Sequence, residues 1–254
     1  VRTPEGTRDV RTPFLLGADG ARSNVRFSSG IKFDGFTYPE KFLIASTPYP
    51  LENHIDNLSY VTYFADPDEW FLALRCNELW RVLLPTPIGA DPEELISRDN
   101  VERVLQGIVS KKERYEISHK TLYNVHQRVA ETYHKGRVFL AGDAAHVNNP
   151  LGGMGMNGGI HDAFNLAEKM VNYLNGDANW DVFELYDRQR RILCTDFIQK
   201  QTISNKEMLE NDDPEKSRKK IESLIEISKD PVKNKEFVRD NSMLNILKQA
   251  SEIN

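Results

Sequence analysis

A glycine-rich segment after residue 137 carries the residue types that could bind a polar ligand. Val138, Phe139 and Leu140 form a short apolar run, which is typical of a strand buried on both faces. Asp143 follows at the predicted end of this strand, so its carboxylate should lie in a loop. A helix is predicted to follow the loop, with apolar residues on one side from Ile160 onward. The other candidate binding residues of this segment are Gly142, Pro150, Gly152, Gly153, Gly155, Met156 and Asn157.

These residue types favour a particular kind of ligand. Glycine permits a left-handed backbone and the close approach of a flat molecule. The first N–H groups of a helix lack internal partners, and the helix dipole there favours negative charge. A carboxylate such as that of Asp143 can accept hydrogen bonds from polyol hydroxyls. The pattern therefore favours a hydroxylated chain joined to a ring that becomes anionic, and reduced flavin is such a ligand. The alternative is a strand-to-helix connection whose glycines serve packing alone.

A second candidate motif lies near the beginning of the chain. A strand over residues 10–16 is predicted to place Asp19 and Gly20 at its carboxyl end. Arg22 and Arg26 follow at a spacing of four residues. Arg22 is interpreted either as a ligand contact or as a surface charge, and Arg26 as a surface charge.

The two motifs resemble those of the para-hydroxybenzoate hydroxylase-like, single-component FAD monooxygenases. The first is similar to that family's flavin-ribityl motif in the residues GRVFLAGDAAH and PLGGMGMNGGIHDAFNL. The second is similar to its Asp-Gly motif, which serves FAD and the nicotinamide cofactor, in the residues FLLGADGARSNVR. The resemblance implies that Asp143 binds the ribityl chain and that Asp19 anchors a second contact. It also implies that Pro150 and the backbone from Gly152 to Asn157 lie beside the flavin ring.

The resemblance implies an enzyme that uses FAD, NADPH or NADH, and O2 to hydroxylate a small phenol-like aromatic substrate. The cofactor would carry out the bond-making, so no catalytic side chain is assigned. Two alternatives remain open. One is another flavoprotein of the same fold, a halogenase or a reductase, although no Trp-x-Trp-x-Ile-Pro halogenase signature is present. The other is a non-catalytic fragment or interaction module without its own FAD diphosphate site.

The family begins with a strand, a GxGxxG turn and a helix that hold the FAD diphosphate. This sequence contains no GxGxxG. We therefore expect the chain to be an N-terminally truncated member of the family.

The expected fold class is mixed α/β (α+β), with a partial FAD-binding Rossmann-like domain interrupted by an antiparallel β-sheet domain. The apolar and aromatic runs between residues 41 and 129 are short and bounded by turn residues, which is typical of consecutive antiparallel strands. One helix, starting near Asp91-Pro92, interrupts them. The predicted domains are residues 1–29 (partial FAD-binding domain), 30–130 (β-sheet substrate domain), 131–178 (FAD-binding domain, continued) and 179–254 (C-terminal helical region).

Charge and composition point away from several classes of protein. The net charge of −5 comes without a long basic run, so neither nucleic acid nor a membrane is expected as a partner. Cys76 and Cys194 form no CxxC pair and are interpreted as reduced thiols of a cytoplasmic protein. The sequence does not fix the oligomeric state, and a homodimer is compatible with it.

Two histidines and one aspartate near the glycine-rich segment are not assigned to a ligand site. His146 and His161 lack the neighbouring Cys or paired carboxylates of a metal site, so no metal is expected. His146 is interpreted as a structural residue at the strand end. Asp162 is placed at the helix start, where it would complement the dipole.

On the next helix, Arg188, Arg190 and Arg191 are predicted to lie opposite the apolar face.

Overall fold

The computed structural model describes residues 2–65, 69–211 and 213–254. The strands are β1 (Arg2–Thr3), β2 (Gly6–Thr7), β3 (Leu15–Gly17), β4 (Phe33–Thr47), β5 (Val61–Phe64), β6 (Phe71–Cys76), β7 (Leu79–Pro85), β8 (His119–Ala130), β9 (His134–Lys135), β10 (Val138–Leu140) and β11 (His146–Val147). The helices are α1 (Asn24–Ser28), α2 (Pro92–Leu95), α3 (Arg98–Ile108), α4 (Met154–Asn175), α5 (Asp181–Leu193), α6 (Lys200–Leu209), α7 (Pro214–Lys229), α8 (Pro231–Asn241) and α9 (Leu244–Glu252).

The chain divides into two compact units. The first comprises Val1–Phe36, Gln127–Ile203 and Ile227–Asn254, and the second comprises Thr37–His126 and Ser204–Glu226. The four-part domain division expected from the sequence stays a prediction.

The first unit contains a three-stranded sheet in the order β3-β10-β9. β3 and β10 run parallel, with Leu15 opposite Val138 and Gly17 opposite Leu140. This pairing brings together two segments that lie far apart in the sequence. The core behind the sheet is formed by β10 and by helices from the C-terminal half, with Phe139, Leu140, Phe183, Tyr186 and Ile198 among its fully buried side chains.

The second unit is built on an antiparallel sheet. Its strands follow the order β8-β4-β7-β6-β5, as the short aromatic and β-branched runs predict. α3 packs Val101, Val104 and Leu105 into the core beside Trp80. Asp91 begins α2 as an N-cap, with its side chain accepting a hydrogen bond from the Glu93 N–H at 3.0 Å.

The mixed α/β class, the antiparallel sheet and the helical C-terminal region are confirmed. The strand expected at residues 10–16 is shorter than predicted, because only Leu15–Gly17 can pair with the equally short β10. Within the described residues, none of the helices combines the length and apolar character that a membrane span requires.

The apolar side of α4 predicted from Ile160, Ala163, Phe164 and Ala167 is present but does not face the core. Phe164 is 76% exposed, and Met156, Ile160, Val171 and Leu174 are also exposed on this helix. The side of α4 that packs inward instead carries Met154, Gly158, Asp162, Leu166 and Lys169.

Candidate functional site

The two sequence motifs meet at the carboxyl ends of β3 and β10. The Ala141 N–H donates to the Gly17 carbonyl at 3.0 Å, so the loops that leave the two strands begin side by side. One loop carries Asp19 and Gly20, and the other carries Gly142 and Asp143. Loops at the carboxyl ends of parallel strands are the usual ligand-binding edge of an α/β sheet.

Asp143 is a free carboxylate at this edge. It lies in a single 3₁₀ turn, Gly142–Ala144, which Gly142 enters with a φ of 62° that favours glycine. Its side chain is exposed, and no described residue donates a hydrogen bond to it. Asp143 is therefore available to accept hydrogen bonds from a ligand.

Asp19, in contrast, already has partners within its own loop. Its two carboxylate oxygens accept hydrogen bonds from the Ser23 hydroxyl and, at 3.1 Å, from the Val25 N–H. Burial alone would raise the pKa of the Asp19 carboxyl, but the bonds from Ser23 and from backbone N–H groups outweigh it and lower the pKa. Asp19 thus fixes the start of α1. Arg22 is exposed and has no polar partner among the described residues, so both interpretations of this residue stand.

Arg26 was expected at the surface, and the structure corrects this. The residue is only 8% exposed. Its guanidinium donates to the Ala144 carbonyl at 2.7 Å and to the Ala21 carbonyl at 2.8 Å, and it stacks 3.7 Å from the centroid of the Phe33 ring. Arg26 therefore ties the Asp19 loop to the Asp143 loop, a role that the four-residue spacing from Arg22 did not reveal.

Arg26→Met should lower the free energy of unfolding by about 2 kcal/mol, because the carbonyls of Ala144 and Ala21 lose a charged donor. Arg22→Met removes an exposed charge and should change stability by less than about 0.5 kcal/mol. Urea denaturation of both variants without added flavin measures the difference. Equal stability of the two variants would show that Arg26 does not hold the loops together.

The glycine-rich segment is a tight turn followed directly by α4. The Gly153 N–H donates to the Pro150 carbonyl at 3.0 Å, and Gly152 and Gly153 both have positive φ. α4 begins at Met154, so Gly155, Met156 and Asn157 lie in its first turn and not in a loop before Ile160 as predicted. Gly153 occupies the N-cap, and this helix start has neither a side-chain cap nor an acidic residue. Its first N–H groups therefore remain suited to an anionic ligand group.

α4 lies unusually close to the Asp143 loop. A Cβ at Gly159 would sit 3.0 Å from the Gly142 Cα, and a Cβ at Gly158 would sit 3.1 Å from the His146 ring. Glycine at these positions lets the helix approach the backbone of the loop.

Below this contact, Asp162 forms a buried ionic cluster. It lies in the third turn of α4, not at the helix start as predicted, and its side chain is 0% exposed. Its Oδ2 accepts hydrogen bonds from the Gly142 N–H at 3.0 Å and from His146 Nε2 at 2.8 Å. Its Oδ1 accepts from Arg190 Nε at 2.8 Å. The prediction that Arg190 lies on the outer face of its helix is wrong, because the guanidinium is the buried counter-charge of Asp162.

The protonation states of this cluster favour the ion pairs. Burial disfavours the charge of His146, but the Cys194 sulfur and the Asp162 carboxylate outweigh it and raise the pKa of His146 well above 6.5. Burial likewise disfavours ionised Asp162, but His146 and Arg190 outweigh it and lower the pKa of Asp162. His146 is thus the structural residue that was expected, with a specific partner.

The raised pKa of His146 predicts a pH-dependent stability. Its contribution should be complete below the unfolded-state pKa of 6.5 and should be lost as the pH rises through the higher folded-state pKa. His146→Gln keeps a donor for Asp162 but does not titrate. Urea denaturation between about pH 6 and pH 9 should show a steeper loss of stability in the unchanged protein than in His146→Gln. Parallel curves would contradict the assigned ion pair.

Comparison with known proteins places these features in context. Residues 1–201 match the protein family described as the FAD binding domain. Para-nitrophenol 4-monooxygenase from Pseudomonas sp. (strain WBC-3) is 31% identical over 247 residues, which cover 96% of this chain and 60% of that protein. This chain thus spans less than two thirds of that relative.

Solved structures agree with this match. The crystal structure of p-nitrophenol 4-monooxygenase from Pseudomonas putida DLL-E4 superposes with a TM-score of 0.85 at 29% identity, covering 94% of this chain and 62% of that one. A ternary complex of aklavinone-11 hydroxylase with FAD and aklavinone superposes with a TM-score of 0.73 at 26% identity, covering 81% of this chain and 39% of that one. The resemblance drawn from the two motifs is confirmed at the level of the family.

Proposed function

Because the chain belongs to the FAD binding domain family, we propose that it acts in an FAD-dependent monooxygenase that hydroxylates a small phenol-like aromatic substrate with NADPH or NADH and O2. Relatives of this chain with about 30% identity include monooxygenases of nitrophenol and pentachlorophenol. The residues at the ends of β3 and β10 support a role in binding flavin.

The free carboxylate of Asp143 is the observation that carries this proposal furthest. It is exposed at the carboxyl end of β10, and no described residue uses its oxygens. A ribityl chain has several hydroxyl groups, and such a carboxylate can accept hydrogen bonds from them. The neighbouring Asp19 loop is held to it by Arg26. Asp19, Gly20 and the exposed Arg22 would contribute a second contact to the ligand.

The start of α4 is suited to the flavin ring, which becomes negatively charged when it is reduced. Its uncapped N–H groups and the positive end of the helix dipole favour negative charge on a ring that lies beside Pro150 and Gly152 to Asn157. The side chains of Met156 and Asn157 are exposed there, and Asn157 Nδ2 donates to the Gly153 carbonyl at 3.0 Å. When bound, FAD would accept the hydride of NADPH or NADH and, once reduced, would activate O2. The chain itself would bind and orient the flavin and stabilise its negative charge.

The visible absorbance spectrum of the purified chain, before and after addition of FAD, tests this function. An absorbance band at about 450 nm that co-elutes with the protein is the expected result for bound oxidised flavin. NADPH or NADH consumption in the presence of phenols should then be measured. Failure to retain flavin at any FAD concentration would contradict a binding site formed by this chain alone and would favour the alternative of an interaction module.

A further inference from the structure

A second recess in the first unit has the features of a ligand site. It lies between α4, α5 and α9, and its volume is about 840 Å³. A cavity of this size matches those that hold small organic molecules. It is lined along α4 by residues beyond the first turn, from Ile160 to Lys169, and across from them by Gln189, Arg190 and Leu247.

Polar groups without partners surround this recess. Arg190 is 1% exposed, and its Nη1 has no hydrogen-bond partner among the described residues. His161 Nδ1 and Asn165 Oδ1 also have no hydrogen-bond partner among the described residues. Buried polar atoms are normally paired, so a cluster of unpaired ones beside a cavity points to a missing partner.

The buried charges of this region do not balance. Asp162 is the buried carboxylate that pairs with Arg190, and it is shared with His146. Lys169, which is 9% exposed, donates at 2.8 Å to the neutral amide oxygen of Gln189. Burial and the nearby Arg190 lower the pKa of Lys169, although Glu168 opposes them. Glu168 also lines the recess, but its side chain is exposed and screened by solvent. Among the buried groups named here, the cations Lys169, Arg190 and His146 therefore outnumber the one carboxylate, that of Asp162.

The remaining walls are apolar. Ile160 and Phe164 on α4 and Leu247 and Ala250 on α9 face the recess, and the first three have large exposed surfaces. An occupant that covered these side chains would gain the free energy of removing them from water.

We propose that the recess between α4, α5 and α9 binds a small organic anion, whose carboxylate or phosphate lies toward Lys169 and Arg190 and whose apolar body packs on Phe164 and Leu247. The anion would balance the excess of positive charge. This site is separate from the Asp143 loop and does not depend on the flavin-binding role proposed above.

Isothermal titration of the purified chain with benzoate tests the proposal, with benzamide as the uncharged probe of the same shape. Benzoate should bind saturably, and benzamide at least about tenfold more weakly, because it lacks the charge. Lys169→Met should weaken benzoate binding by about tenfold or more, and Lys169→Arg should retain it. Lys235→Met, at an exposed lysine of α8, is the matched control and should bind as the unchanged protein does.

Three results would overturn the proposal. They are the absence of saturable benzoate binding by the unchanged chain, equal binding by Lys169→Met and Lys235→Met, and equal affinity for benzoate and benzamide. Circular dichroism shows whether Lys169→Met folds. If it does not, the ratio of benzoate to benzamide affinity in the unchanged chain and in Lys169→Arg still decides whether the recess binds an anion.

Discussion

Asp143→Ala is expected to weaken FAD binding by about 10- to 100-fold. The carboxylate is exposed at the end of β10 and has no partner among the described residues, so its removal leaves the protein's own contacts intact. A hydrogen bond to a charged group contributes roughly 1.5 to 3 kcal/mol, which corresponds to this range of affinity. Quenching of flavin fluorescence on titration with protein gives the dissociation constant.

Asp177→Ala is a suitable control for this measurement. Asp177 is an exposed carboxylate in the turn after α4, at the opposite end of the helix from Asp143. Its loss should leave both FAD affinity and stability unchanged. If Asp143→Ala binds FAD as tightly as Asp177→Ala does, the ribityl contact assigned to Asp143 is wrong.

Asp162→Asn should be the most destabilising of the substitutions considered for this chain. It keeps the shape of the side chain but removes the buried charge that faces Arg190 and His146. Removal of one partner from a buried ion pair costs about 3 to 5 kcal/mol, since the other charge stays buried without compensation. For a chain of this size, thermal unfolding followed by circular dichroism should show a Tm lowered by roughly 6 to 20 °C.

The exposed pair of Asp196 and Lys200 provides the comparison. These residues lie one turn apart and 2.8 Å from each other, with both side chains largely in solvent. Asp196→Asn should therefore cost less than about 1 kcal/mol. Similar Tm values for the two variants would mean that the Asp162 cluster contributes no more than a surface pair.

Local patterns were sufficient to predict most of the elements. The apolar run at Val138–Leu140 and the alternating runs of the second unit correspond to strands, because burial on one or both faces sets those patterns. The start of α4 was placed too late. Glycines at 155, 158 and 159 have low helix propensity, and the close packing of the helix against Gly142 and His146 explains those at 158 and 159.

The polar contacts beneath the site could not be read from the sequence. Asp162, Arg190 and Gly142 come together only when α4 and α5 pack behind β10, and their spacing along the chain carries no signature of this. The sequence likewise predicts a surface position for Arg26, because its contact with Ala144 forms only in the folded chain. Candidate ligand residues such as Asp143 could be selected because their motif is local, whereas the residues that hold them depend on tertiary structure.

The position of Asp162 also limits how short a segment of this chain can be and still fold autonomously. All residues of the two loop motifs lie before the end of α4, but the counter-charge of Asp162 comes from α5. α5 is in turn joined to the last residues of the chain, since Gln189 Nε2 donates to the Ile253 carbonyl at 3.0 Å. A polypeptide cut after α4 would retain every motif residue and still leave a buried carboxylate without its guanidinium. The smallest autonomous folding piece is therefore larger than the segment that the motifs delimit.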